Sequence, residues 1–179
     1  MNGRSFSLGP FSPAGPGPEV KITGNIGRHD NNLTIRYDLR GKLGELAIPA
    51  PADLPARRHG LWEETCFELF LGVRNSPQYW EFNLSPGGHW NVYRFAAYRQ
   101  GMQEETAFAA LPFRVRRRWD SVLLTLELDL AKIVPAGRAL EAGIAAVLRL
   151  AGGGVSYWAL THNGPQADFH RRDSFIVQL

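Results

Sequence analysis

The sequence is poor in cysteine and has no long apolar run. Cys66 is the one cysteine among 179 residues, so the chain cannot form an internal disulfide and must hold its fold through a buried core. No segment reaches the roughly 18 consecutive apolar residues of a membrane-spanning helix. The first residues also lack the continuous apolar segment of a signal peptide. We therefore predict a cytoplasmic protein that does not span a membrane.

Positive charge is in only small excess. The sequence has 20 Lys and Arg against 17 Asp and Glu, a formal net charge of +3. In an extended strand, the basic residues Arg114, Arg116 and Arg118 would share a single solvated face. No helix-turn-helix, zinc-finger or RNA-recognition signature accompanies them. We expect no nucleic-acid partner.

Alternation of apolar and polar residues is the clearest periodic pattern. In residues 31–39, Leu33, Ile35, Tyr37 and Leu39 would face one way and the polar residues the other. Several other short segments have the composition of strands and end at turn residues. They are TCFELFLG, QYWEFNLS, HWNVYRFAA, FRVRRRW, SVLLTLEL and DSFIVQL.

The order of these segments predicts an all-β fold, a sandwich or a barrel. Residues 142–150 and 155–161 are interpreted as a hairpin, because three consecutive glycines between them favour a tight reversal. The Pro/Gly-rich residues 1–18 are predicted to form an N-terminal arm, and residues 19–179 a single domain.

Polar side chains concentrate on one face of the predicted central strands. Period-two alternation places Glu68, Glu81, Asn83 and Tyr93 on the side opposite the main apolar set. Consecutive hairpins would put Glu68 beside Asn83 and Asn83 beside Tyr93, with Glu81 on the diagonal. Carboxylate, amide and phenol groups suit the hydroxyls of a sugar, although an exposed polar sheet face needs no function.

The C-terminal segment is a second concentration of chemistry. Trp158 and His162 would share a strand face, followed by Asp168, His170 and Arg171 in a loop that could close a cleft. His162, Asp168 and His170 could also ligate a metal, but their spacing matches no common metal motif. We predict hydrogen bonding in this loop, with neither a metal nor a cofactor.

Two of the five tryptophans are candidates for the rim of a binding site. Trp62 precedes the first central strand and Trp90 lies beside the SPGG turn, whereas Trp80 aligns with Phe82 and Leu84 and is predicted to be packed.

Three segments together resemble the bacterial DOMON-like domains, distant relatives of the family 9 carbohydrate-binding modules. They are WEETCFELFLG, YWEFNLSPGGHWNVYRF and SYWALTHNGPQADFHRRDSF. The resemblance spans about residues 61–179 and implies an antiparallel β-sandwich, jelly-roll or immunoglobulin-like. It also implies sugar or haem as the ligand, and Trp62 and Trp158 lie in comparable motif regions. Haem is disfavoured, because Met102 lies in a turn-like segment and no Met–His axial pair is evident.

We predict a noncatalytic module that binds a carbohydrate or a related small polar ligand. The first alternative is a carbohydrate-active hydrolase or lyase that uses Glu68 and Glu81, but no nucleophile elbow, phosphate loop or zinc-hydrolase motif is present. The second alternative is a protein–protein interaction domain or homodimer, which an exposed aromatic patch around Trp90 and Tyr93 would favour.

Overall fold

The computed structural model describes residues 3–12 and 17–179. They form twelve strands, paired antiparallel, and four single-turn 3-10 helices. The strands are β1 (Arg4–Pro10), β2 (Val20–His29), β3 (Asn32–Gly41), β4 (Cys66–Val73), β5 (Tyr79–Leu84), β6 (Trp90–Phe95), β7 (Gln103–Glu104), β8 (Phe113–Arg117), β9 (Ser121–Asp129), β10 (Leu140–Arg149), β11 (Val155–Ala159) and β12 (Val177–Gln178). The helices are Leu43–Glu45, Leu61–Glu63, Leu130–Lys132 and Arg172–Ser174.

Two sheets pack face to face, which confirms the predicted antiparallel β-sandwich. The first sheet has the order β1-β2-β3-β9-β8, and the second has the order β7-β6-β5-β4-β10-β11, with β12 also paired to β10. Strand β1 belongs to both sheets, because residues 4–8 pair with β2 and residues 9–10 pair with β11. No helix of the described residues has the length and apolar character needed to cross a membrane.

The predicted N-terminal arm is wrong over residues 4–10. These residues form β1, because Phe6 and Leu8 alternate with polar neighbours and are buried in the core. Phe6 packs over Gly24, where an added Cβ would clash with the Phe6 ring and with the backbone oxygen of Arg36. Residues 1–2 and 13–16 of the predicted arm lie outside the described residues.

The hairpin predicted near the C-terminus is confirmed. Strands β10 and β11 pair from Ala145 opposite Ala159 to Arg149 opposite Val155. The turn between them places Gly153 at a φ of 93°, a conformation that glycine adopts without steric cost. The predicted closing strand DSFIVQL is shorter than expected, because a 3-10 turn occupies residues 172–174 and leaves only β12 as strand.

The main core lies between the two sheets. The alternation predicted for β3 is confirmed, since Leu33, Ile35, Tyr37 and Leu39 are all fully buried. The Tyr37 hydroxyl, in the first sheet, donates a hydrogen bond of 2.8 Å to the backbone carbonyl of Glu68 in the second. Burial raises the pKa of Tyr37 well above its ordinary value, so this hydroxyl keeps its proton and links the two sheets.

We expect Tyr37→Phe to lower the free energy of unfolding by about 1–2 kcal/mol, because one buried hydrogen bond is lost while the ring remains. Urea denaturation followed by tryptophan fluorescence would measure the change. Tyr157→Phe is the matched control, since Tyr157 is 42% exposed and should change stability little. Equal effects in the two variants would contradict the role assigned to the Tyr37 hydroxyl.

Candidate functional site

The second sheet is buried on both of its faces. The residues of β4 and β5 are all buried, although alternate side chains point to opposite sides. One side contributes Phe67, Leu69 and Phe82 to the core between the sheets. The other side carries the predicted polar residues, and Glu68, Glu81, Asn83 and Tyr93 are each at most 4% exposed. A polar face this buried must be covered by other parts of the chain.

The predicted strand register is half confirmed. Glu68 lies opposite Asn83, as expected. Asn83, however, lies opposite Asn91, and Glu81 lies opposite Tyr93. The prediction placed Tyr93 two residues too close to the turn. The turn centres on Gly87, with the Ser85 N–H bonded to the His89 carbonyl at 2.9 Å.

The C-terminal segment covers this face because two glycines make room for it. At Gly143 of β10, an added Cβ would lie 2.8 Å from the ring of Phe175. At Gly72 of β4, an added Cβ would collide with the guanidinium of Arg172. That guanidinium donates to the backbone carbonyl of Val73 at 2.6 Å. Residues 160–176 are therefore anchored over the sheet near its β4–β10 pair.

A cleft of about 690 Å³ remains between the sheet and its cover. Its volume falls within the roughly 300–1,000 Å³ that is usual for small-molecule sites. Apolar and polar groups line it together. The lining residues are Phe11, Trp62, Glu68, Glu81, Phe95, Arg99, Met102, Val147, Tyr157, Pro165, Gln166, Ala167, Phe169 and His170.

Two carboxyl groups form the floor of the cleft. Glu81 accepts a hydrogen bond of 2.8 Å from the Asn83 amide, whereas none of the described residues hydrogen-bonds to the Glu68 carboxyl. Burial, reinforced by the charge of Glu81, raises the pKa of Glu68 well above its ordinary value. Burial also raises the pKa of Glu81 to about 7, against the opposing effects of Asn83 and Arg99.

His170 lies above the carboxyl pair. Its Nδ1 is 2.9 Å from the Tyr79 hydroxyl, and its Nε2 is 3.7 Å from a Glu81 oxygen. Because the Tyr79 oxygen already accepts the Arg99 N–H at 3.1 Å, the arrangement that uses every donor has the Tyr79 hydroxyl donating to Nδ1. The imidazole then carries its proton on Nε2, directed at Glu81. Burial, with help from the charge of Arg99, lowers the pKa of His170 to about 4, so the ring is neutral near pH 7.

Arg99 and Asp168 close one side of the cleft. They form an ion pair of 2.8 Å, and Asp168 also accepts hydrogen bonds from the Tyr98 hydroxyl and the His170 backbone N–H. The Tyr98 and Arg99 donors hold the pKa of Asp168 below its ordinary value despite partial burial. Asp168 therefore orients Arg99 and His170 and does not itself line the cleft.

The opposite side is aromatic. The half-buried Trp62 packs edge-on against Tyr93, with ring centroids 5.7 Å apart. The Tyr93 hydroxyl is shared by His59 Nδ1 at 2.9 Å and the Asn91 amide at 2.8 Å. Burial and the nearby Glu104 raise the pKa of Tyr93 to about 12. Tyr93 thus supports Trp62, and its hydroxyl is already engaged within the protein.

Three other predicted site residues do not reach the cleft. Trp158 points into the main core, because its position in β11 faces the first sheet, and its Nε1 donates to Ser156 at 2.9 Å. His162 contacts the backbone carbonyl of Gly9 at 2.9 Å, and Arg171 pairs with Asp173 on the surface.

The predicted rim position of Trp90 is also wrong, whereas Trp62 does line the cleft. Trp90 is 5% exposed and lies in the main core, with the Arg57 guanidinium 4.4 Å from its ring centroid. Tyr93 is 2% exposed, so the exposed aromatic patch expected around these two residues does not exist. The predicted packing of Trp80 is confirmed.

Metal binding by the C-terminal loop has no geometric support. His162 and His170 are engaged by Gly9 and Tyr79 respectively. Among residues 3–12 and 17–179, no group of three or more His, Cys, Asp or Glu side chains is placed to hold a metal ion.

Several cleft residues were missed by sequence reasoning. Arg99 follows β6 in a loop and takes a φ of 52°, which no local pattern signals. Phe95 shares the strand face of Tyr93 and could have been included by alternation alone. Tyr157 likewise follows from the alternation of β11, which places it opposite to Trp158. Phe11 and Phe169 enter through long-range packing of the two terminal segments.

Known proteins resemble this chain in structure but not detectably in sequence. No protein-family model matches the sequence, and no curated protein matches it. A proposed carbohydrate-binding protein from Bacteroides uniformis superposes with a TM-score of 0.76 at 12% identity, over 97% of this chain and 84% of that one. The two proteins therefore share a fold.

Two further structures belong to family 9 of the carbohydrate-binding modules. A module from Caldicellulosiruptor kristjanssonii in complex with cellotriose has a TM-score of 0.55 at 10% identity, over 92% of this chain and 75% of that one. A module of the same family and organism in complex with glucose has a TM-score of 0.53 at 11% identity, over 90% and 76%. These likenesses show a shared fold, and the DOMON-like resemblance stays a prediction.

The raised pKa of Glu81 predicts how the free energy of unfolding changes with pH. A carboxyl whose pKa rises from 4.5 to about 7 on folding binds more protons in the folded state, so the folded protein loses stability as pH rises through that window. Glu81→Gln removes this titration. We expect the variant to gain stability over the parent progressively from pH 4.5 to 7, by up to about 3 kcal/mol, as measured by urea denaturation at several pH values.

The variant must be compared with the parent at each pH, because His170 changes the stability of the folded protein with pH in the direction opposite to Glu81. Its pKa is lowered from 6.5 to about 4, so its contribution rises with pH over that range. Trp119→Phe, at a 92% exposed position, removes no titratable group and is the control, which should differ from the parent by a constant amount. A constant difference for Glu81→Gln as well would mean that Glu81 does not titrate in this window.

Proposed function

We propose that the cleft on the outer face of the second sheet binds a saccharide without transforming it. The observation that carries this proposal is Glu68, a carboxyl that is 3% exposed, lines the cleft and has no hydrogen-bond partner among the described residues. Burying such a group is costly unless a partner arrives. A bound ligand that donates hydrogen bonds would supply that partner.

The lining suits a pyranose ring. Trp62 and Tyr157 offer aromatic surface on which the apolar face of a sugar can pack. Glu68, Glu81 and His170 offer polar groups for its hydroxyls. The two family 9 modules with this fold were solved with cellotriose and glucose, which supports the same ligand class here. If the proposal is right, the DOMON-like resemblance reflects a relation to sugar-binding domains. The cytoplasmic location stays a prediction.

Binding is tested by isothermal titration with glucose, N-acetylglucosamine and cellotriose. We expect millimolar or tighter binding of at least one of them, and Trp62→Ala and Glu68→Gln should each weaken it by about tenfold or more, because a stacking surface or a carboxyl hydrogen bond is lost. Changes in tryptophan fluorescence would report the same event, best in a Trp119→Phe background that removes the 92% exposed indole.

The controls lie outside the cleft. Trp119→Ala and Glu127→Gln remove a tryptophan and a carboxyl of matched type and should leave affinity unchanged. If no sugar binds at tens of millimolar, or if Trp62→Ala binds as the parent does, the proposed function is wrong.

A carbohydrate hydrolase or lyase is the second candidate. One observation favours it, namely that Glu68 and Glu81 face the same cleft and both have raised pKa values, a pattern seen in acid–base pairs. We expect no product from cellotriose or nitrophenyl glycosides over long incubation. Product that disappears in both Glu68→Gln and Glu81→Gln would replace the noncatalytic proposal with an enzymatic one.

A further inference from the structure

Two buried carboxyl groups in the cleft have open hydrogen-bonding capacity. Glu68 has no hydrogen-bond partner for its carboxyl among the described residues, and Glu81 presents the oxygen that Asn83 does not occupy. The donors that face them are His170 Nε2, which is 3.7 Å from Glu81, and the Arg99 guanidinium. A ligand that brings hydrogen-bond donors would use this open capacity.

Arg99 stabilises the ionised form of Glu81 only in part, because the pKa of Glu81 is still raised. Arg99 is the one cationic side chain among the described residues that line the cleft, and its guanidinium is bound to Asp168 at 2.8 Å. His170 stays neutral because burial keeps it from being protonated near pH 7. Burial therefore keeps protons on the pair, and a ligand that brings a positive charge would favour its ionised form.

Within residues 3–12 and 17–179, the other titratable groups around the pair bring no positive charge into contact with it. Burial raises the pKa of three tyrosines and of the Cys66 thiol, so these four groups remain neutral. Arg57 and His59 bond instead to Asn91 and to the Tyr93 hydroxyl. Titratable side chains from five parts of the chain surround the pair. They are Tyr37 of β3, Cys66 of β4, Tyr79 of β5, Tyr93 of β6, and Asp168 and His170 of the C-terminal segment.

Aromatic rings surround the carboxyl floor. Trp62, Phe95, Tyr157 and Phe169 all line the cleft. Aromatic faces attract cations, most strongly where water is excluded. Aromatic walls beside two carboxyl groups suit an ammonium ligand, because the ammonium would stabilise the ionised carboxylates that burial otherwise disfavours.

We propose that the saccharide bound in this cleft carries a free amino group, and that its ammonium sits against Glu68 and Glu81. This inference rests on the proposed function and narrows its ligand class to amino sugars. An ammonium has three donors and no acceptor, which matches the unfilled capacity of the two carboxyls. Ammonium binding requires the carboxyls to be ionised, so it draws protons off the pair.

The test compares glucosamine, N-acetylglucosamine and glucose at pH 7 and constant ionic strength by isothermal titration. We expect glucosamine to bind about tenfold or more tightly than either neutral sugar, because hydrogen bonds between charged groups are stronger than neutral ones. In the double variant Glu68→Gln/Glu81→Gln the preference should vanish, so that glucosamine and glucose bind with equal, weakened affinity. Glu127→Gln, on the other sheet, should keep the preference.

A second measurement uses the parent protein alone. Raising the pH from 5.5 to 7 should tighten glucosamine binding and release protons, detected as a dependence of the binding enthalpy on the ionisation enthalpy of the buffer. Glucose binding should show neither effect.

The outcomes separate this inference from the proposed function. If the three sugars bind equally well, or if the double variant retains the preference, the ammonium assignment is overturned while saccharide binding stands. If none of the three sugars, nor cellotriose, binds, the proposed function fails and the inference fails with it.

Discussion

Burial of the second sheet on both faces is the constraint on which the rest of the structure depends. One face packs on the first sheet, so strands β4 and β5 send large apolar side chains inward. The other face has little access to water outside the cleft, because the C-terminal segment and Trp62 cover it. Each polar group on that face must then find a partner or face the cleft. Asn83 and Asn91 have partners within the protein, whereas Glu68 faces the cleft.

Sequence reasoning succeeded where the information was local. Alternation alone assigned Tyr37 to the core and Glu68 and Glu81 to a shared face, because a strand side chain can point to only two sides. It also placed Asn83 opposite Glu68, since the β4–β5 turn is bounded by clear turn residues. The β5–β6 register was wrong by two residues because the glycine-rich turn allowed two centres, and only the bonding of Ser85 to His89 selects one.

The parts that escaped prediction depend on contacts between distant segments. Residues 4–10 form a strand because Phe6 can pack over Gly24 and beside Tyr37, and proline-rich neighbours hide this in the sequence. Arg99 reaches the cleft through its pairing with Asp168, about 70 positions away. Trp158 was assigned to the site by its motif, but strand alternation, applied strictly, would have put Tyr157 on the cleft side and Trp158 in the core.

Burying the carboxyl groups of Glu68 and Glu81 costs folding free energy, and this cost affects ligand binding in the cleft. A sheet face already lined by Phe70, Tyr79 and Phe95 could be closed with apolar residues at the positions of Glu68 and Glu81, and a buried charge without a partner is less stable than such packing. The fold thus carries an electrostatic strain that is relieved either by protons or by a cationic ligand. Because both relieve it at the same two carboxyl groups, ligand and protons compete, and occupancy of the cleft is coupled to pH by the structure of the sheet itself.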